Sequence, residues 1–80
     1  MNRQHKQIRA LISSMAPLRA ISYIQAFQLP EEEEVCLIEM DVRKRSYIQI
    51  ANALNMSPET VKKRRRSAFS KIADQLNHPI

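Results

Sequence analysis

The segment SYIQIANALNMSPETVKKRRRSAFSKI, residues 46–72, holds two helix starts, a tight turn between them and a ridge of cations. At the first start, the Ser46 hydroxyl can accept from an orphan backbone amide while Gln49 bonds back to it, forming a capping box. Tyr47, Ile50, Ala51 and Leu54 follow at helical spacing and give this helix one apolar face. At the second start, Ser57 is a good N-cap and Pro58 suits the first helical position, where its missing N–H would be unpaired anyway. Asn55 lies between them. Asparagine tolerates the left-handed backbone that a tight turn needs, and the chain has no glycine, so Asn55 is the best candidate to end the first helix. Ala51 is small enough for two helices to cross closely, with Met56 and Val61 plugging the gap. The pattern predicts a helix-turn-helix over 46–54 and 58–76.

On the second helix, Val61, Ala68, Ile72 and Leu76 share one stripe, with Phe69 and Ala73 at its edge. Glu59, Lys62, Lys63 and Arg66 fall on the opposite side, near the N-terminal half, which is the half that enters the major groove in a helix-turn-helix. Residues 42–72 carry nine Lys or Arg against one acid, a net of +8. At that density an uncomplexed helix repels itself, and a polyanion relieves the repulsion. The expected partner is therefore double-stranded DNA. Lys62, Lys63, Arg66 and Glu59 are the candidates for base edges. Arg64, Arg65, Arg43, Lys44, Arg45, Ser57 and Thr60 are the candidates for phosphates. A bidentate Arg or Lys contact to guanine gives about 1–3 kcal/mol of discrimination, and Glu59 could accept from a cytosine amino group.

The rest of the chain fits a small all-α fold. Eighty residues can bury one core, covering roughly 60% of the unfolded surface. An apolar share of 44% is too high for a disordered tail. Helices are expected at about 3–15, 17–28 and 30–41, the last followed by a short loop, Val42–Arg45. With the helix-turn-helix they make a bundle of about five helices. No linker or repeat divides them, so residues 1–80 are expected to form one domain. The net charge of +5 is unevenly spread: +4 over 1–30, −6 over 31–41 and +7 over 42–80. Glu31–Glu34 would open the third helix, where acids complement the positive end of the macrodipole by roughly 0.3–1 kcal/mol each. The alternative role for this run is a dock for a basic protein patch or an internal clamp for Arg43–Arg45.

Other chemistries find little support. No apolar run approaches the length of a membrane span. The lone Cys36 sits in the apolar run VCLI, which fits a buried thiol and a reducing cytoplasm. His5 and His78 have no ligand spacing with Cys36, so no metal is expected. Ser13-Ser14 lacks a nucleophile turn, and without glycine no phosphate-cradling loop of the usual kind can form. Neither an enzymatic activity nor a cofactor is expected.

Residues 29–76 resemble the fourth region of the sigma-70 family and are also similar to the helix-turn-helix of LuxR-type and ArpU-like phage regulators. The matching residues are Leu29-Pro30, Val35, Leu37, Ser46, Ile50-Ala51, Leu54, Ser57, Thr60-Val61, Ala68 and Lys71-Ile72. The resemblance implies a second helix that reads promoter DNA, with Pro58, Glu59, Lys62 and Lys63 facing the bases, and it hints at a phage or mobile element. Three departures stand out. Positions 64 and 65 are both Arg where one apolar residue is usual, so their stems are expected over the core with their heads at phosphates. Pro58 offers no side-chain hydrogen bond to a base. Nothing here resembles the sigma domain that melts DNA. Two functions follow: a DNA-binding transcriptional regulator, or a mimic of the sigma region that binds RNA polymerase, or a regulator of it, without reading DNA. Residues 1–28 support the core or form a dimer seam, since the stripe at 8–15 and the broad apolar surface of 18–27 suit either.

Overall fold

Asn2 opens the first helix, its side chain accepting from the His5 amide at 2.8 Å, and helix α1 runs Arg3–Ser14. The structure, a computed structural model, describes residues 2–78. Pro17 sets the next boundary. It holds Ala16 extended, at φ −60 and ψ 150, and begins α2, Pro17–Gln25. This helix is shorter than its apolar pattern implies. Phe27 and Gln28 donate to Ile24 and Gln25, each three residues back, and Gln28 turns left-handed at φ 52. Leu29 and Pro30 then lead into α3, Glu31–Leu37.

The expected third helix does not stay α-helical to its end. Ile38–Val42 forms a π turn, closed by the Arg43 amide donating to the Ile38 carbonyl at 3.0 Å, five residues back. The wider turn sends Ile38 and Val42 to one apolar cluster and Met40 to another. Lys44, at φ 59, bends the chain out of it.

The helix-turn-helix forms as its local chemistry dictates. Helix α4 spans Tyr47–Leu54 behind a complete capping box, with Gln49 N to Ser46 Oγ at 3.1 Å and Ser46 N to Gln49 Oε1 at 3.0 Å. Asn55 is left-handed, at φ 54 and ψ 47, and the Met56 amide reaches the Ala51 carbonyl at 3.0 Å. This is the long bond of a Schellman turn, and Met56 packs back on the cluster that contains Ala51. Ser57 caps α5, Pro58–Asn77.

Helix α5 is the axis of the core. Its N-terminal part, through Val61, joins Cys36, Ile50 and Ala51, with Met40, Tyr47, Leu54 and Met56 packed around them. Its C-terminal part, through Ala68, Phe69, Ile72 and Ala73, joins Ile8, Ile12, Ala20, Ile24, Leu29, Leu37 and Ile38. Phe69 belongs at the centre of the stripe rather than its edge and is fully buried. Leu76 shares the register of the stripe, yet it lies in the last turn, which its neighbours do not cover, and is 47% exposed. Cys36 is buried as a free thiol, and burial, its largest influence, pushes its pKa up. No described helix is long and apolar enough to cross a membrane.

Candidate nucleic-acid interface

The N-terminal half of α5 carries an outward row of Glu59, Lys62, Lys63 and Arg66, all exposed. Ser57 Oγ accepts from the Thr60 amide at 3.1 Å and shares a 2.8 Å hydrogen bond with Thr60 Oγ1. The two hydroxyls are thus engaged with the cap and each other, at the positive end of a 20-residue helix. Lys62 Nζ lies 3.5 Å from Glu59 Oε1 and 5.2 Å from the centre of the Tyr47 ring. Among the described residues, Lys63, Arg66 and Lys44 pair with no carboxylate.

The two arginines between Lys63 and Arg66 behave differently. Arg64 leans toward α3, its Nε 3.0 Å from Glu32 Oε1, and stays half-exposed. Arg65 is inside. It donates to both oxygens of Asp41, from Nε at 2.7 Å and Nη2 at 2.8 Å, and from Nη1 to the Tyr47 hydroxyl at 2.9 Å. Its residue exposure is 8% and that of Asp41 is 5%. The carboxylate hydrogen bond raises the Arg65 pKa further above its ordinary value, against the opposing effect of burial. The guanidinium lies 5.1 Å from the Phe69 ring centre, and Arg9 approaches the same carboxylate at 3.9 Å. Here the structure corrects the sequence reading: the stem of Arg65 lies over the core as expected, but the head is consumed by an internal ion pair and does not reach outward.

Arg43 and Arg45 follow the π turn, with Nε atoms 3.5 Å and 3.0 Å from Glu39. The Arg45 contact is a charge pairing without hydrogen-bond geometry, since Glu39 Oε2 has no directed donor. The clamp on these arginines is therefore Glu39, not the Glu31–Glu34 run. That run braces α3 against α5 instead, through Glu32–Arg64 and Glu33–Lys71, the latter at 2.8 Å. Much of the self-repulsion implied by the +8 segment is thus relieved inside the fold. Among the described residues of that segment, the cations left without a carboxylate are Lys63 and Arg66 on α5 and Lys44 on the loop.

Asp41, Glu39 and Glu32 were missing from the candidate residues, and one signal pointed to the first of them. Arg65 stands four residues after Val61 and four before Phe69, on the buried stripe. A cation in that register needs a buried carboxylate, and Asp41 closes the apolar helix that precedes the turn.

A capped short helix, a left-handed three-residue turn and a longer helix with an exposed basic N-terminal half define a helix-turn-helix protein. The family model described as Sigma-70, region 4 matches residues 27–74, and the chain belongs to that family. The match begins in the connection after α2, spans α3, the π turn, α4 and most of α5, and leaves α1 and α2 outside it. Neither the curated proteins nor the solved structures hold a match to this chain.

Proposed function

We propose that this protein is a DNA-binding transcriptional regulator that places the N-terminal half of α5 in the major groove. The observation that carries this reading is the outward row Lys62, Lys63 and Arg66, beside a capped helix N-terminus, in a chain of the sigma-70 region 4 family. Lys62, Lys63, Arg66 and Glu59 face the bases. Arg64, Arg43, Lys44, Arg45 and the α5 N-terminus, with Ser57 and Thr60, face the backbone. Arg65 is left out of this set because Asp41 holds it. Its task is to fix the roll of α5 about its own axis, so that the row on the other side points outward. The protein works without catalysis, and cytoplasmic residence goes with a DNA target.

Binding across a duplex panel tests the assignment. Lys63→Ala should relax specificity at one base pair, by about 1–3 kcal/mol. Arg45→Ala should weaken every duplex alike and make the salt dependence shallower. Identical changes from both substitutions on every sequence would refute base reading by Lys63.

A polymerase-binding role has one feature in its favour, exposed apolar side chains outside the basic row: Leu18 on α2, 82% exposed, and Ile48 on α4, 65% exposed. Such residues suit contact with a protein surface or with a second copy of the chain. Loss of polymerase capture in Leu18→Glu or Ile48→Glu variants that still bind DNA would support this second role.

A further inference from the structure

A cleft of about 550 Å³ opens beside the basic row, between the start of α1, the start of α4 and the middle of α5. Lys62 and Arg66 form the wall it shares with the row, and Asn2, His5, Tyr47, Ser70, Phe69 and the Asp41-paired Arg65 line the rest. Among the described residues, no carboxylate lines it. The polar groups around it are biased toward donation. The Asn2 side-chain oxygen already accepts from the His5 amide, which leaves its NH2 to donate. The Tyr47 oxygen already accepts from Arg65, which leaves its own proton to donate outward. Ser70 is exposed and adds a hydroxyl. His5 stacks on Phe69 with ring centres 5.8 Å apart and forms an apolar-backed floor. Burial foremost, with the positive charge of Arg66 among the smaller causes, holds its imidazole toward the neutral form. A pocket with donors on several sides, no lining acid and two exposed cations at its rim, Arg66 without a carboxylate and Lys62 beside Glu59, suits an anion of tetrahedral oxygens.

We propose that this cleft binds a phosphate group, and that the phosphate belongs to the backbone of the duplex whose groove α5 enters, an assignment that rests on the proposed function above. The position of the cleft selects that source. Its rim is built from Lys62 and Arg66, so a strand flanking the groove runs past its mouth. The volume leaves room for a phosphate with its attached sugar. Helix α1, which lies outside the family match, supplies Asn2 and the floor. The N-terminal helix thus widens the footprint of a family module with a clamp of its own.

The test adds negative charge inside and outside the cleft. Ser70→Glu places a carboxylate in it. Asn2→Asp does the same while keeping an oxygen to cap α1. Ser22→Glu makes the same charge change at an exposed position of α2, away from the cleft. On a duplex of mixed sequence, each cleft variant should lose more than about tenfold in affinity and lower the salt slope by about 1, while Ser22→Glu changes affinity less than about twofold. Equal losses in all three would overturn the clamp and leave groove reading intact. Titration of the DNA-free protein with inorganic phosphate, followed by the backbone amide signals of His5 and Ser70, separates the sources. Saturable shifts that vanish in Ser70→Glu should accompany duplex binding. Such shifts in a protein that binds no duplex would overturn the backbone as the source. A flat titration together with unaffected cleft variants would overturn the site altogether.

Discussion

Replacing Asp41 with alanine removes the carboxylate that receives two Arg65 hydrogen bonds at 2.7 and 2.8 Å, in a site where the two residues are only 5% and 8% exposed. The guanidinium would then be buried with only the Tyr47 hydroxyl as a partner. Breaking a buried pair by removing one member costs about 3–5 kcal/mol, mostly the penalty of the stranded charge. A domain of this size has a total stability of about 4–12 kcal/mol, so the loss is a large share of it. Urea titration followed by circular dichroism should show it as a lower midpoint at unchanged slope, and thermal melting as a fall of more than about 12 °C. Replacing both partners together, Asp41→Leu with Arg65→Met, should recover most of the loss, since no charge is left stranded. A cost below about 1 kcal/mol for Asp41→Ala, the range of an exposed pair, would refute the buried ion pair. An Arg65→Met variant of unchanged stability but weakened DNA binding would show that the guanidinium works at phosphates after all.

Other expectations follow from single features of the fold. Asn55→Ala keeps a Cβ at φ 54 but loses the short polar side chain that lets asparagine tolerate a left-handed backbone, and should cost about 1 kcal/mol in urea titration, whereas Asn55→Gly should be close to neutral. Ser57→Ala removes the cap of α5 and should cost about 1 kcal/mol by the same measurement. Burial above all holds His5 below its ordinary pKa of 6.5, so the folded state takes up this proton at lower pH than the unfolded chain. The stability linked to His5 is complete above that value and is lost as pH falls through the lower folded value. The melting temperature should therefore drop between about pH 7 and pH 5, and His5→Phe should flatten that drop.

The parts of the fold written in short-range chemistry were legible in the sequence. The Ser46–Gln49 box, the left-handed Asn55 and the Ser57-Pro58 start each depend on residues within three positions, and each fixes a backbone group locally. The π turn had no such signature, because a bond from Arg43 to Ile38 selects no residue type. The early end of α2 was hidden by an apolar pattern that continues through Phe27 into a different turn. On α5, counting charges treated five consecutive cations as equals. Their fates are set by partners 24 to 32 positions away, Asp41 for Arg65 and Glu32 for Arg64, and by which side of the helix meets the core. The register of Arg65 on the buried stripe held that information, but the identity of its partner required the packing of the π turn against α5.

Retardation of a mixed-sequence duplex at a series of salt concentrations tests most directly whether the exposed basic row engages DNA. With about five phosphates neutralised, the plot of log affinity against log salt should fall with a slope of about −4 to −5. A chain that leaves the duplex unshifted even at the lowest salt would contradict it.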